Sequence, residues 1–95
     1  MYKTPKTLGV DRIALVSGAI NQFIKTNVLV IDAGTCITYD FVNSKKEYLG
    51  GAISLGLKMR FNALNHFTAN LPIIHKEPII DFVGASTTEC INSGV

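Results

Sequence analysis

The 95-residue sequence has no tryptophan, only two cysteines, three prolines, and few charged residues for its length. Charged side chains make up 17% of the chain, where soluble domains usually carry about 25%. Long apolar runs are missing too. Val28–Ile31 ends at Asp32, far short of the ~20 apolar residues a membrane-crossing helix needs. The N-terminus shows no basic stretch followed by an apolar segment, so no secretory leader is read there. Cys36 and Cys90 lie far apart, form no CxxC pair, and read as free thiols in a reducing cytoplasm. His66 and His75 have no partner at metal-ligand spacing. A net charge of +2, with basic residues scattered rather than striped, argues against a nucleic-acid partner.

What is present is apolar surface. Hydrophobic residues make up 47% of the chain. A chain this short buries well under three-quarters of its unfolded surface. Its apolar faces therefore expect a covering partner, either a second copy or a further part of the same polypeptide.

The order of elements follows from periodicity. Residues 2–9 read as an extended or looped entry. Ile13, Val16, Ile20, Phe23 and Ile24 recur at helical spacing, which predicts an amphipathic helix over about 10–25. Asn27–Asp32 reads as a buried strand, Cys36–Val42 as a second strand, and Tyr48–Ile53 as a third running into a glycine bend. Short turns make these strands antiparallel. A helix over about 55–67 follows. An irregular stretch begins at Pro72, and a short last helix is capped by Ser86 or Thr87 and continues past residue 95.

Four short segments carry polar groups suited to chemistry. Asp32-Ala33-Gly34-Thr35 joins two strands. It is either an ordinary turn or a phosphate grip made of backbone N–H groups and the Thr35 hydroxyl, with Asp32 holding a cation beside it. It is not a GxxxxGK[ST] or GxGxxG loop. Gly9-Val10-Asp11-Arg12 places an acid at a helix start, a setting that most simply means a cap. The other reading is a base beside an arginine that forks a carboxylate. Gly50-Gly51 reads as close packing, and the hydroxyls of 86–88 as caps.

In their order and wording these segments resemble the type III pantothenate kinases. The matching stretches are Tyr2–Arg12 (Y-x-TPxTLGxDR), Val30–Asp40 (the second phosphate motif), Tyr48–Ser54, Thr68–Pro72 (TAxLP) and Gly84–Gly94. The resemblance implies an α/β actin-like ATPase fold, ribonuclease H-like. Residues 1–26 would end its first half and 27–95 would begin its second. It implies transfer of the ATP γ-phosphate to the 4'-hydroxyl of pantothenate, in the first step of coenzyme A synthesis. Asp11 would accept the proton. Tyr2, Gly9, Val10, Asp11, Arg12 and Thr87 would hold pantothenate. Gly34 and Thr35 would contact ATP. Asp32 would bind a monovalent cation, K+ or NH4+, with Mg2+ arriving on ATP. A cytoplasmic homodimer is implied, with no nucleic acid and no membrane.

Two departures accompany the resemblance. Leu55 stands where the family has proline. The family's first phosphate loop and its C-terminal part do not occur in these residues, so the chain reads as an internal fragment, inactive alone. The competing reading is a non-catalytic accessory regulator of transcription on the same fold. The intact Asp11, Arg12, Asp32 and Thr35 set favours the enzyme.

Overall fold

A computed structural model of the chain describes residues 3–23 and 25–95. It is an α/β structure of a short 3-10 turn (Pro5–Thr7), helix α1 (Val10–Gln22), strands β1 (Val28–Ala33), β2 (Cys36–Val42) and β3 (Tyr48–Leu55), and helices α2 (Leu57–His66) and α3 (Thr87–Gly94). Two compact units form. One joins the described residues of Met1–Ala33 to Ile37–Ser54, and the other joins Gly34–Cys36 to Leu55–Val95.

In the first unit the entry is not extended throughout. Pro5 opens a turn of 3-10 helix because its fixed φ suits a first helical position and its missing N–H costs nothing there. The three strands lie in sequence order, with β1 and β2 antiparallel and Val28 opposite Val42, Val30 opposite Asp40, and Asp32 opposite Thr38. Alternation puts those six side chains on one face. Helix α1 packs against β1, and its Arg12 reaches Asp40, so α1 lies on that face. Here Val16, Ala19 and Val42 are buried.

Two expectations are corrected by this packing. The buried stripe of α1 is Arg12, Val16 and Ala19, while Ile13 and Phe23 are exposed. Strand β1, read as buried, is an edge strand with Leu29 55% and Ile31 56% exposed. Only one of its faces carries a helix, so the alternate residues stay open.

The β2–β3 loop is a tight polar hairpin. Asn43 Oδ1 accepts from the N–H groups of Lys45 and Glu47, and Lys46 takes a positive φ of 65°. Further along, Gly50 has φ 109°, which favours a residue without a β-carbon. A β-carbon on Gly51 would fall inside the Tyr39 carbonyl oxygen and 2.7 Å from its carbon.

The second unit centres on Phe61 of α2 and Ile91 of α3. Residues 71–86 contain no helix or strand, and asparagines satisfy part of their backbone instead. Asn65 Nδ2 donates to the Leu71 carbonyl at 2.8 Å, and Asn92 Oδ1 accepts from the Glu77 N–H at 3.0 Å. Helix α3 is capped by Ser86, whose Oγ accepts from the Glu89 N–H at 3.2 Å. Glu89 reaches back to the Ala85 N–H at 2.7 Å, a capping box shifted by one residue.

Candidate functional site

The first turn of α1 carries Val10, Asp11 and Arg12 behind Gly9, the N-cap residue, which has no side-chain cap. With no cap, the Asp11 carboxylate is the anionic group nearest the positive end of the helix dipole. It lies back over Gly9, so close that a β-carbon on residue 9 would stand 2.8 Å from Asp11 Oδ1. Asp11 and Val10 are exposed.

Arg12 points the other way. It is 7% exposed, and its guanidinium meets the fully buried Asp40. Nε donates to Oδ1 at 3.0 Å and to Oδ2 at 3.2 Å, and Nη2 donates to Oδ1 at 2.6 Å. Nη2 also donates to the Tyr48 hydroxyl at 2.9 Å, which itself donates to Asp40 Oδ1 at 2.6 Å. The Nε edge of the fork is thus given to a protein carboxylate.

Asp32 is exposed, near the end of β1. It follows the Val30–Asp40 pair by one step on the same sheet face, about 6.6 Å along the strand. Arg12, in the first turn of α1, reaches Asp40, the partner of Val30, two residues before Asp32 on β1. The first turn of α1 therefore stands toward the end of β1 that carries Asp32. Asp11, one residue from Arg12, and Asp32 belong to the same end of the same face.

Across from Asp32, Thr38 Oγ1 is buried without a hydrogen-bond partner. A carboxylate and an orphaned hydroxyl are hard oxygen donors, the kind that suits potassium or magnesium. The residues present fit a cation at this place. Among the described residues, no three or more His, Cys, Asp or Glu side chains gather into a metal cluster.

Gly34 and Thr35 belong to the second unit. The Gly34 N–H donates to the Cys36 carbonyl at 2.9 Å, so that amide is used within the turn. The Thr35 carbonyl accepts from the Gly56 N–H at 3.1 Å. A β-carbon on Gly56 would collide with the Thr35 carbonyl oxygen and stand 2.5 Å from that of Gly34. The glycine after Leu55 thus lets the turn seat against the start of α2. Leu55 itself closes β3, and its carbonyl accepts from Arg60 Nε at 2.9 Å.

Thr87 is the first residue of α3, beside an open, largely apolar groove of about 1110 Å³ lined also by Leu55, Leu64, Phe67, Leu71 and Ile91. Tyr2 lies outside the described residues. Periodicity missed Asp40 and Tyr48. The available signal was an acid on the same strand face as Val42, together with Arg12, Val16 and Ala19 at helical spacing.

The first unit thus holds an acid at an uncapped helix start and an acid near the end of a strand, and the second unit holds a glycine-seated strand turn. A family model described as type III pantothenate kinase matches residues 1–95, and the chain belongs to that family. It is similar to proteins named type III pantothenate kinase from Flavobacterium johnsoniae (54% identical, 99% of this chain, 38% of the relative) and Christiangramia forsetii (56%, 99% and 39%). The one from Bacteroides fragilis is 52% identical over all of this chain and 39% of its own length. The chain spans about two-fifths of these relatives.

Proposed function

We propose that this chain is the central part of an ATP-dependent kinase that phosphorylates the 4'-hydroxyl of pantothenate. The observation that carries this reading is the placement of Asp11 and Asp32 toward one end of one sheet face.

Asp11 receives the hydroxyl proton as the oxygen forms its bond to the γ-phosphorus. The bond from that phosphorus to the bridging oxygen breaks, and ADP leaves with the electron pair. Such transfers need positioning and charge neutralisation more than covalent help from the protein. Gly9 and Val10 border the acceptor, Tyr2 and Thr87 add contacts to pantothenate, and Thr35 meets the phosphates with Gly34 shaping its turn. Arg12 joins Gly9, Val10, Tyr2 and Thr87 in holding pantothenate, with the Nε edge of its guanidinium already on Asp40. Asp32 holds a monovalent cation, potassium or ammonium, which together with magnesium on ATP offsets phosphate charge. The residues belong to the two-halved actin-like fold, with 1–26 closing one half and 27–95 opening the other. The whole protein works as a cytoplasmic homodimer.

The test is a chimera in which this chain replaces the matching stretch of the Flavobacterium johnsoniae relative. The chimera is expected to form ADP in a pantothenate-dependent manner, while the 95-residue chain alone shows no turnover. A folded chimera whose ATP consumption ignores pantothenate would contradict the reading.

Thr38→Val probes the cation. Removing a buried hydroxyl that has no partner is nearly neutral or stabilising by itself. The variant's melting temperature without potassium should therefore stay level or rise. The potassium-dependent rise expected of the parent chimera should shrink. A full potassium response in Thr38→Val would remove Thr38 from the site.

A further inference from the structure

Asp40 is 0% exposed, yet the proposed reaction assigns it no task. A buried ion pair is a poor source of stability compared with well-packed apolar groups, and its best-attested use is to fix register. Arg12, Asp40 and Tyr48 close a ring of hydrogen bonds that ties α1, β2 and β3 at one point. The other buried residues of α1 are Val16 and Ala19, small apolar side chains that make no directional bond. The N-cap residue Gly9 contributes no side-chain bond to hold the first turn.

We propose that Asp40 and Tyr48 are positioning residues for phosphoryl transfer: they hold Arg12 as a buried peg that sets the rotation of α1, and so fix where the Asp11 carboxylate stands. This rests on the kinase reading. Successive helical residues are about 100° apart. With Arg12 locked inward, Asp11 is held at the solvent edge of the helix. A turn free to rotate would spread the carboxylate over several positions, and a misplacement of about 1 Å costs on the order of 100-fold in rate. Arg12 thus also serves the acceptor site through Asp11, with the Nε edge of its fork spent inside the protein.

The test uses Asp40→Asn and Tyr48→Phe. Tyr48→Phe keeps the ion pair and removes one hydroxyl. In the chimera, Asp40→Asn should lower kcat by about 100-fold with the KM for ATP nearly unchanged, and Tyr48→Phe should show a smaller loss of the same kind. Arg12→Lys should not restore function, because an ammonium lacks the planar fork. Asp40→Asn leaves the Arg12 charge buried and unpaired, so its melting temperature falls in either case; a merely structural role would lower ATP affinity together with kcat and would leave kcat of the folded Tyr48→Phe unchanged. In the chimera, Asp40→Asn should speed hydrogen exchange at the amides of residues 13–16 relative to the β1–β2 ladder. Wild-type kcat in Asp40→Asn, or unchanged protection of that turn, overturns the proposal. A parent chimera with no pantothenate-dependent turnover would overturn the kinase reading and the catalytic half of this proposal, and hydrogen exchange would still decide whether the peg exists.

Discussion

Asp11→Asn in the chimera should abolish most pantothenate phosphorylation, lowering kcat by about 10²–10⁴-fold, the usual contribution of a positioned general base. ATP affinity should hardly change. Asparagine keeps the size of the side chain and its ability to lie over Gly9, but it takes no proton and brings no charge to the helix end. Fold effects should be small. Asp11 is exposed and no hydrogen bond ties it to the rest of the described residues through its carboxylate, so the substitution removes only its charge–dipole interaction, worth roughly 0.3–1 kcal/mol. Isothermal titration with a non-hydrolysable ATP analogue separates the outcomes. Lost nucleotide affinity with intact single-turnover chemistry would assign Asp11 to binding and end its role as base.

Gly51→Ala should be the most damaging change to the first unit. Its β-carbon would overlap the Tyr39 carbonyl oxygen and stand 3.0 Å from the Asp40 Cα. These are backbone atoms, so no side-chain rotation relieves the clash. Strand β3 would have to move away from β2, and that movement also opens the Tyr48–Asp40 hydrogen bond. Overpacking typically costs about 1–3 kcal/mol, and a clash with backbone atoms belongs at the upper end, about 3 kcal/mol. For a domain of this size that means a fall in melting temperature of roughly 12 °C or more. Differential scanning calorimetry reads the effect directly, and a melting temperature within a few degrees of the parent would show that the strands separate easily there. Gly18→Ala serves as control, because a β-carbon there meets nothing within 4 Å.

Much of the secondary structure was legible because it is written locally. The alternation of Cys36–Val42 and the glycine after Leu55 place β2 and the start of α2 within a residue or two. The 3-10 turn at Pro5–Thr7 escaped notice because proline and polar residues suit a loop equally well. Strand β1 looked buried because its composition is continuously apolar, but exposure depends on how many elements cover a face, which composition does not state. Arg12 was the instructive case. An arginine beside an acid at a helix start reads as a fork for a ligand carboxylate, and its inward position on a protein carboxylate follows only from Asp40, 28 residues later. Long-range ion pairs leave no periodic trace, so the peg became visible only with the sheet register. The grouping of Asp11 with Asp32 likewise needed the Arg12–Asp40 contact and the β1–β2 register.

The most direct measurement is a crystal structure of the chimera with pantothenate and a non-hydrolysable ATP analogue in potassium buffer. The account predicts the 4'-hydroxyl about 2.6–3.2 Å from the Asp11 carboxylate, within hydrogen-bond reach, and a cation on Asp32. A pantothenate hydroxyl far from Asp11, with the nucleotide phosphates at the opposite end of the sheet from Asp32, would contradict it.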